Sequence, residues 1–278
     1  MSVRRGRAAT DARSRAGRVA ATLTAAGTVP LGTVPLLAGC GSAPAHPQTT
    51  LGAPTGTITV LAAASLTEAF TELGHRFEST YPGTHVRFSF AASSTLASQV
   101  AAGAPADVFA AASDATMGVA ERAAAVAGKP VEVATNELEI AVPPGNPGHV
   151  GSLRDFADAG LRLAVCDPTV PCGATAQTLF RIAGVTAHPD TYEPDVKAVL
   201  TKVRLGEVDA GLVYRTDVHS AGTAVEGIDV PQARQAPTSY PVAVVRQSQN
   251  ATTAVAFVTF VSGPSGRAVL AEAGFGPP

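Results

Sequence analysis

The sequence predicts an α/β protein in which parallel strands are joined by crossover helices. Three observations carry that reading. From Thr57 onward, short β-branched runs alternate with stretches of helical period. The stretches between successive strands are long enough for crossover helices. The 278 residues include no Trp, 4 Tyr and 10 Phe, yet 46% are hydrophobic. The core must therefore be built mainly from Ala, Val and Leu, which suit close-packed layers of helix and sheet.

The elements follow in order. Residues 57–62 (TITVLA) read as a β-branched strand. Leu66, Ala69, Phe70, Leu73 and Phe77 fall on one face of a helix over 66–80. Pro82-Gly83 turns the chain, and 86–90 alternate as a strand. A short helix over 96–102 is broken by Gly103-Ala104-Pro105. Residues 107–111 form the third strand and 116–125 the next helix, which completes a βαβαβα order. A second unit begins near Glu137. Its strand over 138–142 stops at the Pro143–Pro147 run, and a short helix spans 153–157. A strand over 161–165 runs into Cys166-Asp167-Pro168. Helices over 174–183 and 196–205 precede a strand over 210–214. A last strand over 240–245 leads to closing helices over 252–261 and 265–273.

Residues 1–39 read as an export signal. Six Arg against the single acid Asp11 precede an uncharged run from Val19 to Leu37, which ends in Leu37-Ala38-Gly39-Cys40. That run is long enough to span a membrane by length alone, but Gly27, Pro30, Gly32 and Pro35 weaken an anchor reading. Leu-Ala-Gly-Cys resembles the lipobox of bacterial lipoproteins, which implies lipidation at Cys40, with plain secretion as the alternative. Residues 40–56 are rich in Ser, Ala, Pro and Thr and read as a flexible tether. Removing the leader leaves 14 basic against 21 acidic side chains, so the exported protein is acidic. A nucleic-acid binder would carry a basic patch, and no long basic stretch lies beyond the leader.

Several small polar residues sit just past strand ends. Ser65 precedes the first helix, Ser93, Ser94 and Thr95 precede Leu96, and Thr169 to Gly173 lead into the helix at Ala174. Such residues suit N-caps. They can equally face a ligand, because ligands gather beyond the carboxyl ends of strands in open α/β sheets. Helix N-termini favour anions. An oxyanion site and a set of ordinary caps both fit this pattern.

The mature chain resembles the periplasmic molybdate-binding proteins, the substrate-binding components of molybdate ABC transporters. The resemblance rests on Ala62-Ala63-Ala64-Ser65-Leu66, Phe90-Ala91-Ala92-Ser93-Ser94-Thr95-Leu96, and Gly103-Ala104-Pro105-Ala106-Asp107-Val108-Phe109. It continues through Asp167-Pro168 with Val170-Pro171, Gly211-Leu212-Val213-Tyr214 and Tyr240-Pro241-Val242-Ala243-Val244-Val245. It implies a two-lobed periplasmic-binding-protein fold of type II. Each lobe is then a sheet flanked by helices, with the ligand in the interlobe cleft. One lobe would comprise 57–137 and 241–278, and the other 138–240. It also implies that molybdate, and with it tungstate, is held by neutral donors. These are the hydroxyls of Ser65, Ser93 and Tyr214, the backbone of Ser94, and the N–H groups of Cys172 and Val196. Cys172 departs from the small residues familiar at its position, although its amide donates whatever the side chain. Molybdenum would be bound only as its oxyanion, with no protein ligand to the metal and no cofactor. The expected partners are a membrane permease with its cytoplasmic ATPase, and the membrane through the lipid at Cys40. The protein is expected to be a monomer on the extracytoplasmic face.

With Cys40 lipidated, Cys166 and Cys172 remain as an even pair in an oxidising compartment, and a disulfide is the expectation. Two buried free thiols are the alternative, since the spacing matches no strong metal motif. The acids Asp107 and Asp167 are expected to hold backbone rather than to touch an anion. Rival readings are a binder of sulfate, phosphate, iron or an organic acid, a secreted hydrolase, and a structural surface protein. The chain has no GxSxG elbow, P-loop or dinucleotide fingerprint, which counts against an enzyme. The quoted serine strings hold no Arg for a carboxylate and no Tyr or His for iron.

Overall fold

The computed structural model describes residues 52–278. The leader, Cys40 and the tether up to Leu51 lie outside the described residues. The chain opens with β1 (Gly56–Ala63), a 3-10 turn (Ala64–Leu66) and α1 (Thr67–Thr80). There follow β2 (Thr84–Ala91), α2 (Ser93–Ala101), β3 (Val108–Ala110), α3 (Asp114–Arg122) and β4 (Val126–Asn136). After β5 (Leu138–Val142) and a 3-10 turn (Leu153–Ala157) come β6 (Leu163–Cys166), α4 (Pro171–Ala183), β7 (Thr191–Glu193) and α5 (Val196–Arg204). Next are β8 (Ala210–Tyr214), α6 (Arg215–Ala221), β9 (Glu226–Ile228) and β10 (Thr238–Val245). Helices α7 (Ala251–Ser262) and α8 (Pro264–Glu272) close the chain.

These strands form two five-stranded sheets, in the orders β2-β1-β3-β10-β4 and β7-β6-β8-β5-β9. In each, three neighbouring strands run parallel and the fourth is antiparallel to the third. The chain passes between the sheets at Glu137 and again between Ile228 and Thr238. At the first crossing, Asn136 Nδ2 donates to Thr216 Oγ1 at 2.8 Å.

The first sheet is covered on both faces. On one face, α1, α7 and α8 bury Phe70, Phe77 and Phe257, whose rings meet edge to face. Each such side chain contributes about 1.5–3 kcal/mol by leaving water. On the other face, α2 and α3 bury Leu96 and Met117 against Phe109. The core of the second half gathers Phe156, Leu179 and Phe180 with the Val199–Val203 face of α5. Here Gly211 matters, because a Cβ on it would meet Val199 Cγ1 at 2.7 Å. Its absence lets α5 lie close on β8.

Some elements depart from the sequence reading. Strand β4 is absent from the sequence pattern, because Gly128 and Pro130 interrupt it and its pairing with β10 shifts register at two places. The three-residue strands β7 and β9 and the short helix α6 are too short to show a period in the sequence. Helix α2 begins at Ser93 rather than Leu96, and α4 at Pro171 rather than Ala174. Pro171 stands at the first helical position, where its missing N–H costs nothing.

Candidate functional site

A cavity lies where the two halves face each other. It offers about 20 Å³ to the centre of a water-sized sphere. By that measure one water needs roughly 10–15 Å³, so the cavity takes one compact species and no extended molecule. Its wall is made at the carboxyl ends of six strands. The first half supplies Ala63 to Ser65 after β1, Ala91 to Ser93 after β2, and Ala112 after β3. The second supplies Val170 to Cys172 after β6, Asp195 and Val196 after β7, and Tyr214 at the end of β8. No Lys or Arg lines it.

The two serine hydroxyls are each placed by a partner from their own half. Ser93 Oγ accepts the Ala112 N–H at 3.0 Å, which leaves the Ser93 proton to donate elsewhere. Ser65 Oγ lies 2.9 Å from the Tyr240 hydroxyl, and Asn136 Nδ2 approaches that same hydroxyl at 3.5 Å. With Tyr240 donating to Ser65, the Ser65 proton is free for the cavity. The third hydroxyl differs. Tyr214 is 1% exposed, and its phenolic oxygen makes no well-formed hydrogen bond, although the Thr238 and Tyr240 hydroxyls lie near enough to act on it. Burial pushes its pKa up, and the Asp217 charge adds to the rise, so the phenol stays protonated and can only gain by donating. Burial raises the Tyr240 pKa as well.

The caps expected of the serines are not formed. Ala92 is the N-cap of α2 and Ser93 is already helical, with no side chain capping that end. The 3-10 turn carrying Ser65 and the start of α1 also lack a side-chain cap. The first intrahelical bond of α2 is Leu96 N–H to Ala92 O. The N–H groups of Ser93, Ser94 and Thr95 therefore have no partner within the helix. In α4 the first such bond is Ala174 N–H to Val170 O, which leaves Cys172 and Gly173 without one. In α5 the Asp195 carboxylate accepts the Ala198 N–H at 3.0 Å, so Val196 and Lys197 are the open amides. Three helix N-termini thus bring partial positive charge and free N–H groups to one small cavity, an arrangement suited to an anion.

Ser65, Ser93, Cys172, Val196 and Tyr214 all line the cavity, whereas Ser94 is half-buried beside it and is not in the lining. Cys166 and Cys172 form a disulfide with Cα atoms 5.7 Å apart. It ties the end of β6 to the first turn of α4. Gly173 permits that close approach, since a Cβ there would overlap the Asp167 carbonyl oxygen. Asp107 accepts the Thr59 N–H at 2.7 Å and the Ser248 hydroxyl at 2.6 Å. Asp167 accepts the Thr169 N–H and hydroxyl, which hold its pKa below the usual carboxylate value. Both acids hold loops. Tyr240, Asn136 and Ala112 were missed from the sequence. The polar signal of Tyr240 was present, but the residue reads as one more apolar position of a strand. Among the described residues, no group of three or more His, Cys, Asp or Glu could hold a metal ion.

Three comparisons bear on this site. The family model for bacterial extracellular solute-binding proteins matches residues 58–276. A molybdate-binding protein of Mycobacterium tuberculosis is 40% identical over 247 residues, covering 87% of this chain and 93% of that protein. Among solved structures, the periplasmic molybdate-binding protein of Azotobacter vinelandii aligns with a TM-score of 0.71 at 19% identity, over 80% of this chain and 99% of that one. The sulfate-binding protein of M. tuberculosis aligns with a TM-score of 0.70 at 20% identity, over 80% of this chain and 87% of that one. At such identities the two structures show the shared fold alone.

Proposed function

This chain belongs to the bacterial extracellular solute-binding proteins, among their molybdate-binding members, and on that footing we propose that it captures molybdate outside the cytoplasmic membrane and hands it to an ABC permease. The observation that carries the reading is the lining of the cavity. Hydroxyls and helix-end N–H groups from both halves converge there without a cation. Preoriented neutral donors stabilise a buried charge without reorganising. Each hydrogen bond to a charged group is worth about 1.5–3 kcal/mol net. We assign the anion to Ser65, Ser93 and Tyr214 through their hydroxyls, to Cys172 and Val196 through their N–H groups, and to the backbone of Ser94 as a flanking donor.

The same lining favours an unprotonated oxyanion. The oxygens of Ser93 and Ser65 already accept from Ala112 and face Tyr240, so a proton on the ligand finds few acceptors. Tungstate, of like charge and shape, is expected to bind as molybdate does. Asp195 is the one charged residue in the lining, and its carboxylate is engaged in capping α5 through the Ala198 N–H. The proposed lobes are 57–137 with 241–278, and 138–240, with the strand residues Thr238 to Tyr240 at the end of the second range pairing in the first sheet. The proposal extends to a monomer held by lipid at Cys40, delivering to a permease driven by a separate ATPase, with no catalytic step and no cofactor.

Calorimetric titration of the purified protein with molybdate, tungstate, sulfate and phosphate tests this. One-to-one binding of molybdate and tungstate, with the other two far weaker, is the expected result. Phosphate or sulfate as the preferred ligand would overturn the molybdate assignment. No heat from any of the four in folded, ligand-free protein would end it.

A further inference from the structure

Lys197 directly follows Val196 on α5, and its ammonium touches both halves of the molecule. Its Nζ lies 2.9 and 2.8 Å from the two carboxylate oxygens of Glu68 on α1, in the first half. It also lies 2.9 Å from Asp217 Oδ1 on α6, in the second. Asp217 is wholly buried, and its other oxygen accepts the Tyr214 N–H at 3.1 Å. Glu68 stands one turn after Ser65. A carboxylate–ammonium–carboxylate string therefore runs beside three of the proposed anion donors, two in the second half and one in the first. Among the described residues, the other helix cation that reaches across is Arg215 on α6, and its partner Glu137 stands at the crossing itself, 3.4 Å away, so Glu68–Lys197 is the pair that joins the bodies of the two halves.

The two ends of the string are unequal. Leaving a buried Asp217 unpaired would be costly, so Lys197 stays with it whatever the halves do. The Glu68 side chain is 52% exposed, and water can take over its hydrogen bonds. The contact that forms and breaks as the halves move is then Glu68–Lys197. We infer that Lys197 is a positioning residue, a clasp to Glu68 that holds the two halves at the spacing seen here and so sets how fast the anion is released. The inference rests on the molybdate-binding reading above. Burial works against the Lys197 ammonium, but the two carboxylates outweigh it and keep its pKa above the ordinary value, so the clasp is charged throughout the physiological range.

Half-exposed ion pairs are modest and are screened by salt. The test is molybdate release from the purified protein, followed by stopped-flow tyrosine fluorescence during a tungstate chase at several ionic strengths. Glu68→Gln is expected to raise koff about 2- to 5-fold at low salt, to flatten its salt dependence, and to leave the melting temperature of the ligand-free protein unchanged. Glu68→Asp, one methylene short, should shift koff in the same direction. Arg162→Gln breaks a pair with Asp209 inside the second half and should leave koff alone. If wild type binds molybdate and Glu68→Gln releases it with the wild-type rate and salt profile, the clasp is refuted while the binding reading stands. If folded wild type binds no molybdate, both are refuted.

Discussion

The two halves share a strand order and differ in what they place at the strand ends. Strands β1, β2 and β3 of the first sheet occupy the positions of β6, β7 and β8 in the second. Matched in this way, Ser65 stands opposite Cys172, Ser93 opposite Val196, and Ala112 opposite Tyr214. The first half presents hydroxyls whose oxygens are engaged by Ala112 and Tyr240 of that same half. The second presents backbone amides, one held by a disulfide, and a buried phenol with no well-formed hydrogen bond inside the protein. The common framework supplies equivalent positions for donors, and the local sequence decides what kind they are. One wall is internally complete, whereas the other holds a buried donor left without a well-formed bond, free to turn to a ligand in the cavity.

Tyr214→Phe should break that contrast most sharply. It removes a donor worth about 1.5–3 kcal/mol to a bound anion, so molybdate affinity should fall about 10- to 100-fold. The melting temperature should hold or rise, because a buried unpaired hydroxyl disappears with it. Calorimetry beside thermal melts separates the two effects.

Ser93→Ala should behave differently. It removes a donor and also orphans the buried Ala112 N–H, a loss of about 1–3 kcal/mol of stability. Affinity and melting temperature should therefore fall together. A Ser93→Ala protein as stable as wild type would dissolve the distinction between the walls.

Replacing Cys166 and Cys172 together by Ala opens a short loop. The chain-entropy model gives about 2 kcal/mol of lost stability for a loop of that length. The affinity loss should be smaller than for Tyr214→Phe, because the Cys172 amide survives and only its constraint is lost. Urea unfolding and titration of the same variant check both parts.

The smallest effect concerns pH. Tyr214 and Tyr240 have pKa values raised above the ordinary phenol value of about 10, chiefly by burial. Their contribution to stability is fully present below pH ~10. Above it the unfolded chain releases protons that the folded protein keeps, so stability falls as pH rises. Molybdate binding should be flat between roughly pH 6 and 9, because no hydroxyl donor in the cavity titrates there. Thermal melts and titrations across that range and up to pH ~11 measure both.

The first wall was more legible in the sequence than the second. Ser65 and Ser93 sit at strand ends in strings of small residues, where a hydroxyl is conspicuous. The backbone donors leave no such trace, since Val196 reads as an ordinary apolar helix residue and Cys172 as half of a disulfide. Only the family resemblance points to either of them. What lies behind the site was not legible. Tyr240 looks like strand core until its hydroxyl is seen beside Ser65, and the Lys197–Glu68 contact joins residues 129 positions apart. Alternation of strands and helices was clear wherever an element was long enough to show a period. It failed at β4, where Pro130 and a shifting register hide the strand, and at β7 and β9, which are three residues long.

A crystal structure of the molybdate complex, with the anomalous signal of molybdenum used to locate the ion, tests the central claim most directly. The account predicts a single tetrahedral oxyanion in this cavity. Its oxygens should lie within hydrogen-bond distance of the Ser65, Ser93 and Tyr214 hydroxyls and the Cys172 and Val196 N–H groups, with no cationic side chain in contact. Molybdenum bound elsewhere, or held in the cavity by Lys or Arg or by the donors of one half alone, would contradict it.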